Sequence, residues 1–260
     1  VKLAARDDAL ECRPGMSPKP AKTRAGSGAA KPAPKVRDAE RTRASILAAA
    51  TEEFARNGYS GARVDTICRV ASANPRMIYH YFTDKDGLYV AVLEHALSEL
   101  RSEELKLSVD HVPPLQGMME LFAFIHDHFA SHPELIQLLS GENLLRGRFL
   151  GRSVKTPIIA SPLIDLIAEL LRRGERERVF RAHIDPLRLY VKMVALSYFH
   201  RSNAYSLSII FRTDVQAPEW QTHYREEVET MLRIYLSPTA PSAAEERASG
   251  SKRKPPRNSK

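Results

Sequence analysis

From about residue 41 to residue 237 apolar positions recur every three or four residues, in runs punctuated by Pro, Gly and Asn. Arg41–Asn57 sets Ile46, Leu47, Ala50 and Phe54 on one face and closes on Asn57-Gly58, a helix stop. A short second helix carries Ile67, Val70 and Ala71 on one side, and Ser72 and Ala73 supply a turn. Asn74-Pro75 restarts the chain: Asn accepts from unpaired N–H groups at a helix start, and Pro is pre-set for the first helical position. The third helix buries Ile78 and Phe82 and turns Arg76, Met77, Tyr79 and His80 the other way. Thr83-x-x-Asp86 has the spacing of a capping box before Leu88, Val92, Ala96 and Leu100.

The pattern breaks at Val112-Pro113-Pro114 and resumes over Leu115–Ala130, with Met118, Leu121, Phe122, Ile125 and Phe129 on one face. Ser131-His132-Pro133-Glu134 reads as a second capping box, opening a helix to about Arg146. A basic loop, 147–155, leads to a helix that ends at Arg172-Arg173-Gly174, a cationic last turn before Gly. Pro162 either starts that helix or kinks it. Asp185-Pro186 and Pro218-Glu219 begin two further helices, and Ser206–Arg212, though partly β-branched, reads as a helical extension between them. No segment alternates as a strand does, so the expected fold is all-α.

Charge adds a polyanionic partner to this picture. The chain of 260 residues has net charge +8, concentrated at its ends. Residues 1–37 and 238–260 are rich in Pro, Ala, Ser, Gly and basic side chains and are expected to be disordered tails. They either solvate the protein or, at the N-terminal end, track a DNA backbone. The chain opens on Val1, and Met16 is a candidate true start. No run approaches the roughly 20 apolar residues of a membrane span. With no signal-peptide stretch and only Cys12 and Cys68, a cytoplasmic protein without a disulfide framework is expected.

The candidate chemistry is nucleic-acid binding. A short helix presenting a cation, an imidazole and a phenol opposite a buried face is suited to a major groove. Arg63, Thr66, Asn74, Pro75, Arg76, Met77, Tyr79, His80 and Lys85 are the candidate DNA-binding residues, with Arg76 and Met77 nearest the base edges. Packing against the preceding helix is the competing role for Tyr79. His126 and His128 point about 200° apart on a helix, and His132 precedes Pro133, so no metal site is expected. No phosphate loop, nucleophile elbow or paired-carboxylate motif is present, which excludes the commoner enzyme classes and leaves no cofactor to expect.

The run IYHYFTDKDGLY, with Ile46-Leu47-Ala48-Ala49-Ala50, Phe54, Gly58-Tyr59, Ile67 and Ala71, resembles the TetR family of bacterial regulators over about residues 38–97. The resemblance implies a three-helix DNA-binding head with a helix-turn-helix over 38–86, and a helical effector-binding and dimerisation domain over 87–237. It also implies phosphate contacts for Tyr79, His80 and Lys85. The sequence departs from the family at Ala62-Arg63, where a Thr or Ser usually caps the second helix, and at Ser72, where the turn usually has Gly.

By the same resemblance the last two long helices form a four-helix dimer bundle, through Leu187, Val191, Val194, Tyr198, Val228, Met231, Leu232 and Tyr235. Both stripes are otherwise ordinary core. Phe122, Phe129, Asn143, Phe149, Met193, Phe199 and His200 are candidates to line an effector cavity, with Arg201 beside them to orient a polar ligand. The expected function is sequence-specific repression at an inverted-repeat operator by a homodimer that a small-molecule effector releases. The alternative is an architectural or interaction factor on the same fold that takes no effector.

Overall fold

The computed structural model describes residues 34–107, 109 and 111–238; most of both expected basic tails, with Cys12 and Met16, lies outside them. Ten α-helices and one short 3-10 turn, and no strand, occur among the described residues. Four form the N-terminal part: α1 (Pro34–Gly61), α2 (Val64–Val70), α3 (Pro75–Phe82) and α4 (Lys85–Glu104). Helix α1 starts four residues inside the expected tail, because Pro34 suits a first helical position and no breaker follows before Asn57-Gly58. At Gly58 the backbone leaves the helix with φ 64°, so the stop read from the sequence holds.

The junctions explain how three short segments hold their angles. Helix α2 has no side-chain cap at Arg63; instead the buried Glu53 carboxylate accepts the Arg63 N–H at 2.9 Å. Ser72 takes φ 51°, the left-handed turn that Gly adopts more cheaply. Asn74 caps α3, its side-chain oxygen accepting from Arg76 N–H at 2.9 Å. The expected cap at Thr83 is displaced by one residue. Thr83 ends α3 at φ 71°, and Asp84 caps α4 by accepting from Gly87 N–H at 2.7 Å. Here the glycine is required, because a Cβ on Gly87 would lie 2.0 Å from the Phe82 carbonyl oxygen.

Ile46, Ala50 and Phe54 of α1 meet Ile67, Ile78, Phe82, Leu88 and Val92 in one buried cluster. Val70, expected in it, is 61% exposed, because on so short a helix the inward stripe runs through Ile67, Cys68 and Ala71. Cys68 is a small buried thiol whose pKa burial pushes up.

The remaining helices are α5 (Pro114–Ser131), α6 (Pro133–Leu144), α7 (Thr156–Arg176), α8 (Pro186–Ser202), α9 (Ala204–Phe211) and α10 (Pro218–Leu236), with the 3-10 turn at Leu150–Arg152. Met118, Phe122, Ile125, Leu163, Ile167, Leu170, Leu189, Met193, Val228 and Leu232 build their core. Asp185 caps α8 by accepting from Arg188 N–H at 2.7 Å, and Ser206–Arg212 is helical through Phe211, as expected.

Two expectations change in this half, and the place of Pro162 is decided. The Ser131 hydroxyl donates back to the Asp127 carbonyl at 2.9 Å and caps nothing; α6 starts without a side-chain cap. Gly174 lies inside α7, which runs on to Arg176, and its missing side chain makes room for the Phe180 ring, 2.0 Å from where a Cβ would stand. Pro162 is internal to α7 and exposed. At the end of α4 a buried pair, Arg101 and Glu104, is bonded together, and Arg101 also donates to the Tyr190 hydroxyl at 2.7 Å, tying α4 to α8. No helix among the described residues is long and apolar enough to cross a membrane.

Candidate nucleic-acid interface and ligand cavity

Helix α3 buries Ile78 and Phe82 and exposes Asn74, Pro75, Arg76, Met77, Tyr79 and His80 together. Tyr79 is 62% exposed, so it is free to contact a ligand rather than committed to packing. The Asn74 side-chain oxygen is occupied in capping. Arg63 is exposed and Thr66 half-buried on the neighbouring α2. The sequence reading omitted Arg69, which is exposed in the last turn of α2; its i,i+3 spacing from Thr66 was the available signal.

Lys85 is placed differently from a free phosphate anchor. Its ammonium donates to the Ala62 carbonyl at 2.7 Å and lies 4.9 Å from the centre of the Tyr59 ring. It therefore braces the start of α4 against the end of α1. The Tyr59 hydroxyl in turn donates to Asp86, which Arg152 also holds at 2.8 Å. That bond and then Arg152 keep the Asp86 carboxyl below its usual range, while burial, ahead of the Asp86 bond, pushes the Tyr59 phenol up to about 12.

The candidate effector residues do not converge. Phe122 and Met193 are fully buried in the C-terminal core. Phe149 belongs to the N-terminal cluster, its ring centre 4.4 Å from Tyr59 and 4.9 Å from Tyr89. Asn143 is exposed, and Phe199 is 57% exposed on the outer side of α8. His200 is buried and bonded to Gln221 at 3.1 Å. Of the candidates, Phe129 and Arg201 line one cavity of about 550 Å³. This cavity lies between α6, the end of α5 and the α8–α9 junction, and Ala55 of α1 reaches it from the N-terminal part. Aromatic residue type did not find it, because aromatics fill the tight core, whereas the cavity wall is mainly small, amide and aliphatic residues.

The expected dimer stripes divide. On α8, Leu187, Val191, Ala195 and Phe199 point outward at four-residue spacing while Leu189, Met193, Ser197 and His200 point inward. Leu187 and Val191 are each 55% exposed and Met231 56%. Val228 and Leu232 are buried, so they serve the subunit's own core. Val194 and Tyr235 are half-buried against that core, and so is Tyr198, whose hydroxyl bonds Ser140 Oγ at 2.6 Å. Tyr205, Ile209, Ile210, Phe211 and Ile234 extend the exposed apolar face beyond the expected residues.

His128 and His132 stack with ring centres 4.0 Å apart. Among the described residues no three His, Cys, Asp or Glu side chains are grouped to hold a metal.

A capped short helix, packed on its apolar side and presenting Arg76, Tyr79 and His80 outward, defines a helix-turn-helix DNA-binding protein. Residues 46–92 match the family of bacterial regulatory proteins called tetR, and residues 114–232 match the tetracyclin repressor-like C-terminal domain. The chain is 34% identical over 181 residues to the HTH-type transcriptional repressor NicS of Pseudomonas putida, covering 70% of this chain and 85% of that protein. It is 39% identical over 111 residues to the repressor SCO4008 of Streptomyces coelicolor, covering 43% of this chain and 54% of that one. The crystal structure of the putative transcriptional regulator SCO4942 of Streptomyces coelicolor shares the fold, with TM-score 0.55 and 24% identity over 75% of this chain and 98% of that one. The chain belongs to the TetR family and is a DNA-binding transcription regulator, not an enzyme.

Proposed function

We propose that the protein is a cytoplasmic, homodimeric repressor that binds an inverted-repeat operator and leaves it when a small molecule occupies the C-terminal part. The carrying observation is the exposed face of α3, with Arg76 and Met77 at its start for base edges and Tyr79 and His80 beyond them for phosphates. Arg63 and Thr66 add contacts from α2, and Lys85 contributes by fixing α4. One such helix reads few base pairs, so a twofold dimer is the arrangement that gives specificity. The apolar outward stripe of α8 supports that assembly.

The two functional units, 38–86 and 87–237, meet in α4, whose first half packs into the N-terminal cluster. The cavity beside α1 favours effector response over an effector-independent architectural role, because a ligand there contacts both units. It must bind the DNA-competent and released states unequally to act.

The test is a binding titration against DNA from immediately upstream of the protein's own gene, at two salt concentrations with excess unrelated competitor. Competitor-resistant binding to a short inverted repeat is expected. Binding that competitor removes and salt abolishes would reduce the interaction to backbone attraction and overturn the reading.

A further inference from the structure

The cavity has a chemical bias that its volume does not express. Of its lining residues Arg201 alone carries a formal charge. Its guanidinium has no hydrogen bond or ion pair among the described residues, and its Nε is buried without a partner. The opposite charge that acts on it, Asp127, already pairs with Arg225 at 2.7 Å. The polar residues that share the lining with Arg201 offer no counter-charge. Gln221 is engaged at both ends, with His200 and with the Val215 carbonyl, and Ser140 is engaged with Tyr198. Burial first and the Arg201 charge next lower the pKa of both His126 and His200. A half-buried arginine costs stability unless something completes its hydrogen bonds.

Phe129, Ile136 and Leu144 supply apolar lining to the same cavity, and the volume of about 550 Å³ suits a small organic molecule. We propose that the cavity binds a small organic anion, its carboxylate on the Arg201 guanidinium and its apolar body against Phe129, Ile136 and Leu144. The inference rests on the effector reading above and narrows it to a ligand class. Arginine is suited to this task because its planar fork meets a carboxylate with two parallel N–H donors. Gln137 and Gln216, also on the wall, are available to choose among anions by hydrogen bonding.

The experiment is calorimetric titration of the full chain, without DNA, with benzoate, phenylacetate and hexanoate, and with benzamide as the neutral isostere of benzoate. At least one carboxylate is expected to bind, with benzoate favoured over benzamide and Arg201→Gln weakening carboxylate binding about tenfold or more. Equal binding of benzoate and benzamide, an Arg201→Gln variant with undiminished carboxylate affinity, or no carboxylate bound at millimolar concentration would each overturn the proposal. The first comparison uses wild-type protein alone and stands even if the variant does not fold. A parallel operator titration separates the two readings. Arg201-dependent carboxylate binding that leaves operator affinity unchanged keeps the anion site and overturns effector release. Release by benzamide but by no carboxylate keeps effector release and overturns the anion site.

Discussion

The buried carboxylate of Glu142 in α6 accepts the backbone N–H of Phe149 at 2.6 Å, and the same oxygen accepts from Leu150 at 2.9 Å. This pair of bonds folds the chain after α6 back so that the Phe149 ring enters the aromatic group of Phe54, Tyr59 and Tyr89. Helix α6 therefore lines the 550 Å³ cavity with one face and grips the N-terminal cluster through its C-terminal end. Replacing Glu142 by Ala strands two backbone donors, at least one of them buried, and is expected to cost about 2–3 kcal/mol. Urea unfolding followed by circular dichroism measures this; a loss below about 0.5 kcal/mol would show that the bonds do not hold the segment.

That clasp also shows where the sequence was legible. Helix α3 and its cap could be read directly, because Asn74-Pro75 acts locally and Ile78 and Phe82 repeat at helical spacing. The position of Phe149 could not. Its contacts with Tyr59 and Tyr89 depend on a return of the chain across about 60 to 90 residues, and a bulky aromatic looks the same in a core or a cavity wall. The Arg101–Glu104 pair was hidden for a similar reason: as an i,i+3 charge pair it reads as a solvated face, and only tertiary packing, with Tyr190 of α8 bonded to Arg101, makes it buried. The dimer stripes were half legible, since periodicity gives a face for α8 but not which of its two apolar sides turns outward.

Acid lability follows from His200. Burial first, and the Arg201 charge next, lower its pKa to about 4, below the usual 6.5. Between these values the unfolded chain binds the proton more readily than the native one. Stability is therefore complete above about pH 6.5 and falls as pH drops toward 4. By pH 5 this residue alone is expected to lower stability by about 1–2 kcal/mol. His128, lowered to about 4 mainly by burial, acts in the same direction. Melting temperatures from pH 7 to pH 5 should fall, and fall less steeply in His200→Gln. An identical slope in that variant would remove His200 from the account.

Arg76 and Lys85 separate reading from bracing. Arg76 is exposed at the start of α3, so Arg76→Ala is expected to leave the fold intact, cost about 1–3 kcal/mol of operator binding and relax the preference at one position in each half-site. Lys85→Met removes the donor to the Ala62 carbonyl and is expected to lower the melting temperature as well as operator affinity. Binding to systematically varied operators, alongside thermal unfolding of both variants, checks the division. An Arg76→Ala protein with unaltered base preference would assign that arginine to the phosphates.

Val191 and Val228 make the matching contrast for assembly. Val191 is 55% exposed on the outward stripe of α8, whereas Val228 is 2% exposed and packs within its own subunit. Placing a carboxylate at position 191 leaves the subunit fold unburdened but, in the proposed dimer, sets two like charges against each other across an isologous contact. Val191→Glu is therefore expected to give folded monomers with an unchanged helical spectrum and a loss of operator affinity, since one recognition helix alone must then hold the site. Val228→Ala is expected to do the opposite, lowering stability by about 1–3 kcal/mol through a core cavity while the surviving folded protein stays dimeric. Sedimentation equilibrium at micromolar concentration distinguishes them. A Val191→Glu protein that remains dimeric would move the interface off the outward stripe of α8 and toward the exposed apolar residues of α9, Tyr205, Ile209, Ile210 and Phe211.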